Sequence, residues 1–147
     1  MFQIASVRSF ALIALTCVFA GCGDNKGGDK AVVHGTIKLD GVPLADAEVR
    51  FVPKGNNPDL GTAQAKTDAN GAFTIQPDAN NNNRLRPGKF MVLVTKSVPA
   101  KADGGMGTPM LNLVPPIYGL QDKTPLDIEL KTGDNKPEPF ELVSGKK

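Results

Sequence analysis

The chain has no tryptophan, one tyrosine, one histidine and two cysteines in 147 residues. Each shortage excludes something. One histidine and two cysteines fall short of the four ligands of a structural zinc site. His34 is then the sole base on which a Ser-His-Asp arrangement could stand, and no serine sits in the sharp strand-to-helix turn such a nucleophile occupies. Excess charge of one sign is also missing. Lys and Arg number 17 against 15 Asp and Glu, a net +2 spread along the chain, which excludes the basic footprint of a nucleic-acid binder. The length is that of one domain and excludes a multidomain enzyme. Past the first twenty-two residues no helix-length window shows apolar residues at helical spacing.

Glycine and proline are plentiful. Together they make 28 of 147 residues, more than average usage and less than low-complexity chains, so the chain is turn-rich and still able to fold. The amino terminus is of another kind. Met1–Ser9 carries one charge, Arg8, and from Phe10 to Ala20 every residue but Thr16 is apolar. Eleven helical residues cover roughly 16 Å, about half of a hydrocarbon core near 30 Å, so this stretch is a signal sequence and not a span. Small residues Ala20 and Gly21 follow, then Cys22. Cleavage there divides the chain into a signal peptide (1–21), a tether (22–30) and a domain (31–147). The tether after Cys22 reads GDNKGGDK, without an apolar residue, and reads as flexible. Cys17 leaves with the signal, so the remainder holds one cysteine and no internal disulfide.

The order of apolar position, two small residues and cysteine resembles the lipobox of bacterial lipoproteins, with Phe19 where leucine is commonest three places before the cysteine. The resemblance implies a diacylglyceryl thioether on Cys22, an acylated (palmitate-type) amine and a membrane partner reached through lipid. The location implied is the cell envelope, facing the periplasm or the cell surface. Gly23, not Asp, follows the cysteine, which favours the outer membrane. The alternative is an ordinary cleaved signal with Cys22 as an incidental thiol.

Beyond Lys30 seven short strands are predicted: 31–39, 47–52 and 126–131 by period-2 alternation, 62–67 as a small-residue strand with 72–76 across a turn, 89–97 from its apolar run Phe90–Val94, and 139–143 closing the chain. Asp40-Gly41 and Asp68–Gly71 are turns between them, the second closing a hairpin of 62–67 with 72–76. Residues 98–110 read as a loop, and the proline pair in LNLVPPIY confines 111–118 to an edge or irregular segment. The fold class is all-β: a seven-stranded antiparallel two-sheet sandwich of about 100 residues.

Three runs, VHGTIKLDGVPLADAEVRFVP, KTDANGAFTI and RPGKFMVLVTK, resemble the carboxypeptidase-regulatory-like (transthyretin-like, prealbumin-like) domain, itself Ig-like in architecture. The matched positions include Gly35, Asp40, Gly41, Pro43, Leu44, Ala47, Val49, Thr67, Asp68, Gly71, Phe73, Pro87, Gly88, Val92 and Val94. Phe90 stands where tyrosine is usual. The later PPIYGLQDKTPLDIEL resembles a segment of short bacterial lipoproteins that carry this domain. Enzymes of the fold, the hydroxyisourate hydrolases, use two histidines, an arginine and a C-terminal Tyr-Arg-Gly-Ser; this chain ends VSGKK and lacks the second histidine.

The candidate site residues are few. Cys22 is the lipidation site. Asp68, Asn70 and Asp78, with Asn80–Asn83 nearby, are oxygen ligands for calcium, although a hard cation wants six to eight oxygens and these are too few. A Lys-to-Asn crosslink would need Lys38 buried, with Glu48 as proton shuttle and Asn135 as acceptor, but the alternation turns Lys38 outward. Tyr118 is the one aromatic with a polar handle, able to stack on a sugar or to pack a loop against the sandwich, and Arg84 and Arg86 flank Leu85 in the Asn-rich loop. No catalytic residue and no cofactor is assigned. The expected function is a non-enzymatic, lipid-anchored interaction or structural module; the alternative is a carbohydrate- or small-ligand-binding module using its end loops. The partner is an envelope protein or a glycan, not nucleic acid.

Overall fold

The computed structural model describes residues 30–55, 57–77, 84–101 and 107–145. The signal peptide, Cys22, nearly all of the tether, Asp78 and Asn80–Asn83 lie outside the described residues. Eleven strands are present in these: β1 (Ala31–Leu39), β2 (Val42–Pro43), β3 (Glu48–Pro53), β4 (Ala63–Lys66), β5 (Ala72–Ile75), β6 (Gly88–Thr95), β7 (Ser97–Pro99), β8 (Met110–Asn112), β9 (Asp127–Leu130), β10 (Gly133–Asn135) and β11 (Phe140–Leu142). All seven predicted segments are strands, and β2, β7, β8 and β10 are additions of two or three residues. Short 3₁₀ turns at Pro58–Leu60 and Pro116–Gly119 are the only helical pieces among the described residues.

The strands form a sandwich. One sheet has the order β4-β3-β6-β9, antiparallel throughout. The other is built around β1, which pairs with β5 and β2 antiparallel and with β10 and β11 parallel. The parallel pairs depart from the all-antiparallel expectation. The chain leaves β9 on one sheet and returns along β1 on the other, so it arrives running with β1. Ala31 pairs with Gly133, but Ile37 pairs with Phe140, so one extra residue is accommodated between β10 and β11. That gap contains Pro137 and Pro139, which have no N–H to give to a ladder.

A second difference is the predicted hairpin. β4 pairs with β3 and β5 pairs with β1, so the 67–71 turn crosses between sheets and joins no hairpin. The turn's own bonding explains this. Thr67, buried, donates its hydroxyl to the Leu44 carbonyl at 2.6 Å and accepts the Ala47 N–H at 2.8 Å. The Gly71 carbonyl accepts the Ile37 N–H at 2.8 Å. Gly71 has φ +71°, and a Cβ there would lie 2.4 Å from the Ile37 carbonyl oxygen, so the motif needs glycine for both conformation and space.

Alternation on β1, β3 and β6 sends Val33, Ile37, Val49, Phe51, Phe90, Val92 and Val94 into the core, all fully buried. Each such burial is worth about 1.5–3 kcal/mol. Phe51 of one sheet meets Phe73 of the other, ring centroids 6.0 Å apart, and Phe90 and Phe140 extend the contact at 6.4 and 6.5 Å. Gly35 lies opposite Phe73, where a Cβ would come within 2.4 Å of the ring. Backbone bonds close the end where β1 begins: Ala31 N–H to Leu85 C=O at 2.9 Å, Arg86 N–H to Leu60 C=O at 3.0 Å. The chain enters the domain at this end.

Candidate functional site

At the other end, the start of β3 lies between the ends of β4 and β6, with Glu48 opposite Lys66 on one side and Thr95 on the other. Here the sheet's outer face and β7 enclose a groove of about 770 Å³, lined by Asp46, Glu48, Lys66, Thr95, Lys96 and Ser97 among others. Its lining charges balance in number, Asp46 and Glu48 against Lys66 and Lys96. Lys66 Nζ is 2.9 Å from Asp46 Oδ1, and Arg50 is 2.9 Å from Glu48 Oε1. The hydrogen bond from Lys66, and then its charge, holds the Asp46 carboxyl below its ordinary 3.8. A groove with balanced charges and two hydroxyls offers donors and acceptors to a neutral polar ligand and has no excess field for an ion.

The second concavity, about 620 Å³, lies at the tether end and includes Asn57, Gly61, Thr62, Arg84 and Gln121. Arg84 is exposed there, Leu85 is buried, and Arg86 is exposed again, so the triplet behaves as an edge that pins Leu85 in the core. The structure thus places one of the two loop arginines, Arg84, in a concave surface.

Asp68 works in its turn: Oδ1 accepts the N–H groups of Asn70 and Ala72 at 2.8 and 2.9 Å. Among the described residues no group of three His, Cys, Asp or Glu side chains could hold a metal ion. Tyr118 is buried at 8% exposure and its hydroxyl accepts the Val143 N–H at 3.0 Å, which ties the 3₁₀ turn to the end of β11. Its ring is therefore part of the packing, not an open stacking platform. Lys38 is bound to Glu141 at 3.1 Å. The Asn135 amide donates to the carbonyls of Val32, Lys131 and Gly133 at 3.1, 2.9 and 2.9 Å, fastening β10 to β1. These groups do not form a lysine–asparagine crosslinking site.

Sequence reasoning did not show that three strands bring a hydroxyl, an imidazole and a carboxylate into one row. His34 Nδ1 lies 3.1 Å from Thr74 Oγ1, and Nε2 lies 3.9 Å from Asp134 Oδ1. The row stands on a sheet's outer face, where backbone N–H groups lie in the sheet plane and are spent on strand pairing. Nothing there points at a developing oxyanion, so the row lacks the preorganised donors that acyl transfer requires. Two registers bring these residues together: β1–β5, in which His34 faces Thr74, and the parallel β1–β10 pairing, which sets Asp134 beside them.

No protein-family model matches the chain, and no curated protein matches it. Among solved structures it is similar to a Pseudomonas aeruginosa protein described as a carbohydrate-binding candidate, at 13% identity over 78% of this chain and 88% of that one, TM-score 0.38. It is also similar to chlorocatechol 1,2-dioxygenase from Pseudomonas putida, at 12% identity over 82% of this chain and 60% of that one, TM-score 0.31. Neither likeness transfers an activity or a ligand to this chain.

Proposed function

We propose that the chain is a lipid-anchored module of the cell envelope, a carboxypeptidase-regulatory-like sandwich that acts by binding through its surface and turns over no substrate. The observation that supports this reading is the order of parts: an apolar leader, Ala20-Gly21-Cys22, an apolar-free run to Lys30, and then β1 without an intervening loop. Lys30 is already engaged, its carbonyl accepting the Gly133 N–H at 2.9 Å. β1 has partners on both edges, so the lipid is joined to the best-paired strand of its sheet. Seven linking residues at ~3.3–3.6 Å each reach about 25 Å at most, which keeps the tether end near the bilayer and turns the groove outward. Fractionation tests the anchor: the native chain sediments with membranes and the Cys22→Ser chain is released. Equal sedimentation of both would contradict it.

A second reading, a glycan or other hydroxyl-rich ligand in the groove, is favoured by the paired charges around Thr95 and Ser97. Screening against a glycan array tests it. Binding that is lost in Glu48→Ala and Lys66→Ala supports the groove; an array without any binding counts against it.

A further inference from the structure

An edge strand offers free N–H and C=O groups to any extended chain, and natural sheets guard their edges with proline, charge or brevity. Most edges here are guarded. Pro137 and Pro139 interrupt the β10–β11 edge, and Pro43 lies in β2. Exposed Asp127 and Glu129 line β9, β4 ends on Lys66, and β7 ends on Pro99. Two edges carry neither proline nor charge, β5 and β8. β8 has only its brevity as a guard, and unlike β5 it exposes large apolar side chains within a run, Gly107 to Gln121, that has no charged residue.

The ladder decides which groups of β8 face out. Leu113 N–H donates to the Lys96 carbonyl at 2.8 Å and Ala100 N–H to the Pro109 carbonyl at 2.9 Å. Antiparallel pairs alternate between bonded and non-bonded, so Val98 and Leu111 bond to each other while the peptide groups of Met110 and Asn112 point away from β7. On β7 the corresponding outward positions are Ser97 and Pro99, and Pro99 has no N–H to offer. Met110, Leu111 and Leu113 are 59%, 52% and 46% exposed.

We propose that β8 is a self-association edge, on which two copies of the chain pair antiparallel about a two-fold axis through Leu111. The register closes on itself. Met110 faces Asn112 of the second copy, Asn112 faces Met110 of the second copy, and both pairs exchange N–H···O=C bonds. Leu111 meets its own copy at the non-bonded centre, with Cα atoms about 4.5 Å apart. A second copy suits this edge because an uncharged run opposes its duplicate without repulsion. Pairing also turns an isolated two-stranded sheet, marginal alone, into four strands and covers the leucines. Three half-exposed side chains bury on the order of 200 Å² per copy, about 400 Å² over both, far below the ~1,200 Å² total of a stable interface. The contact is therefore weak and concentration-dependent, and confinement of copies to one surface strengthens it.

Oxidative crosslinking of the full chain carrying Cys17→Ser and Leu111→Cys, kept in its membrane or in detergent, tests the pairing. The expected product is a dimer linked through position 111 of both copies, since the separation fits a disulfide. Asp127→Cys, on the β9 edge, gives no such dimer. Adding Met110→Pro, which copies the Pro99 guard and removes only an outward N–H, abolishes the link while leaving the melting temperature near that of the parent. Linkage no greater at position 111 than at 127, linkage that survives Met110→Pro, or linkage to a different polypeptide would each overturn the proposal. The Cys17→Ser parent, oxidised alone, separates this from anchoring: a parent dimer through Cys22 reports a free thiol and counts only against the lipid.

Discussion

In residues 31–95 the register comes from long alternating strands, whereas residues 96–143 are held by single side chains at the ends of short ones. β1 and β6 carry enough inward apolar positions that a slip of one residue would turn the whole core face to water. β8, β10 and β11 have three residues each and cannot set a register that way. Their positions are fixed by particular bonds. Asn112 Oδ1 accepts the N–H groups of Lys96 and Val114 beside β8, the Tyr118 hydroxyl accepts the Val143 N–H at the end of β11, and the Asn135 amide fastens β10 to β1; ahead of β9, Thr124 likewise donates its hydroxyl to the Val92 carbonyl. Burial over a length specifies a strand collectively; a short strand needs a named partner.

The contrast predicts effects of graded size. Gly71→Ala strikes the backbone of the first region, forcing a Cβ against the Ile37 carbonyl at positive φ, and the expected loss by chemical denaturation is about 2–4 kcal/mol. A loss below about 1 kcal/mol would mean that the 67–71 crossing is not as tight as it stands. Thr67→Val keeps the shape and strands the Ala47 N–H and Leu44 carbonyl, both buried by the turn; about 1–3 kcal/mol is expected. In the second region Tyr118→Phe removes one bond, to Val143, for about 1 kcal/mol. Combined with Asn135→Ala, its effect should be close to additive, because the two residues fasten different parts of the returning strand. Hydrogen exchange should then show 133–143 opening before β1, β3 and β6; simultaneous opening would erase the distinction between the regions.

The smallest effect concerns acid. Asp46 and Asp127 are held below their ordinary 3.8 by hydrogen bonds from Lys66 and Lys54 and then by the charges of the same lysines. A carboxyl lowered in the folded state contributes stability above its unfolded value and loses it as pH falls through the folded one. Both carboxyls are exposed, so Lys66→Gln and Lys54→Gln should change stability slightly above pH 3.8 and hardly at all well below it, measured by denaturation across that range.

The main strands were legible where inward residues alternate with polar ones, as Val49 and Phe51 do with Glu48 and Arg50, and where an unbroken apolar run is too short for a helix, as in Phe90–Val94. Asp68 was legible as a turn residue because its bonds reach only two and four residues ahead. The role of Thr67 was not, since its partners Leu44 and Ala47 lie 23 and 20 residues back, where the chain enters the neighbouring β3. Nor was the parallel return of β11, because PFELV alternates identically in either direction. The 34–74–134 row depended on register, and Tyr118 could be read as packing or platform until its hydroxyl was placed against Val143.

The central claim is tested most directly by the intact mass of the chain extracted from membranes. The account predicts a polypeptide that begins at Cys22 and carries the added mass of a diacylglyceryl group, with or without an amide-linked acyl chain. An unmodified polypeptide, or one that begins at any other residue, would contradict it.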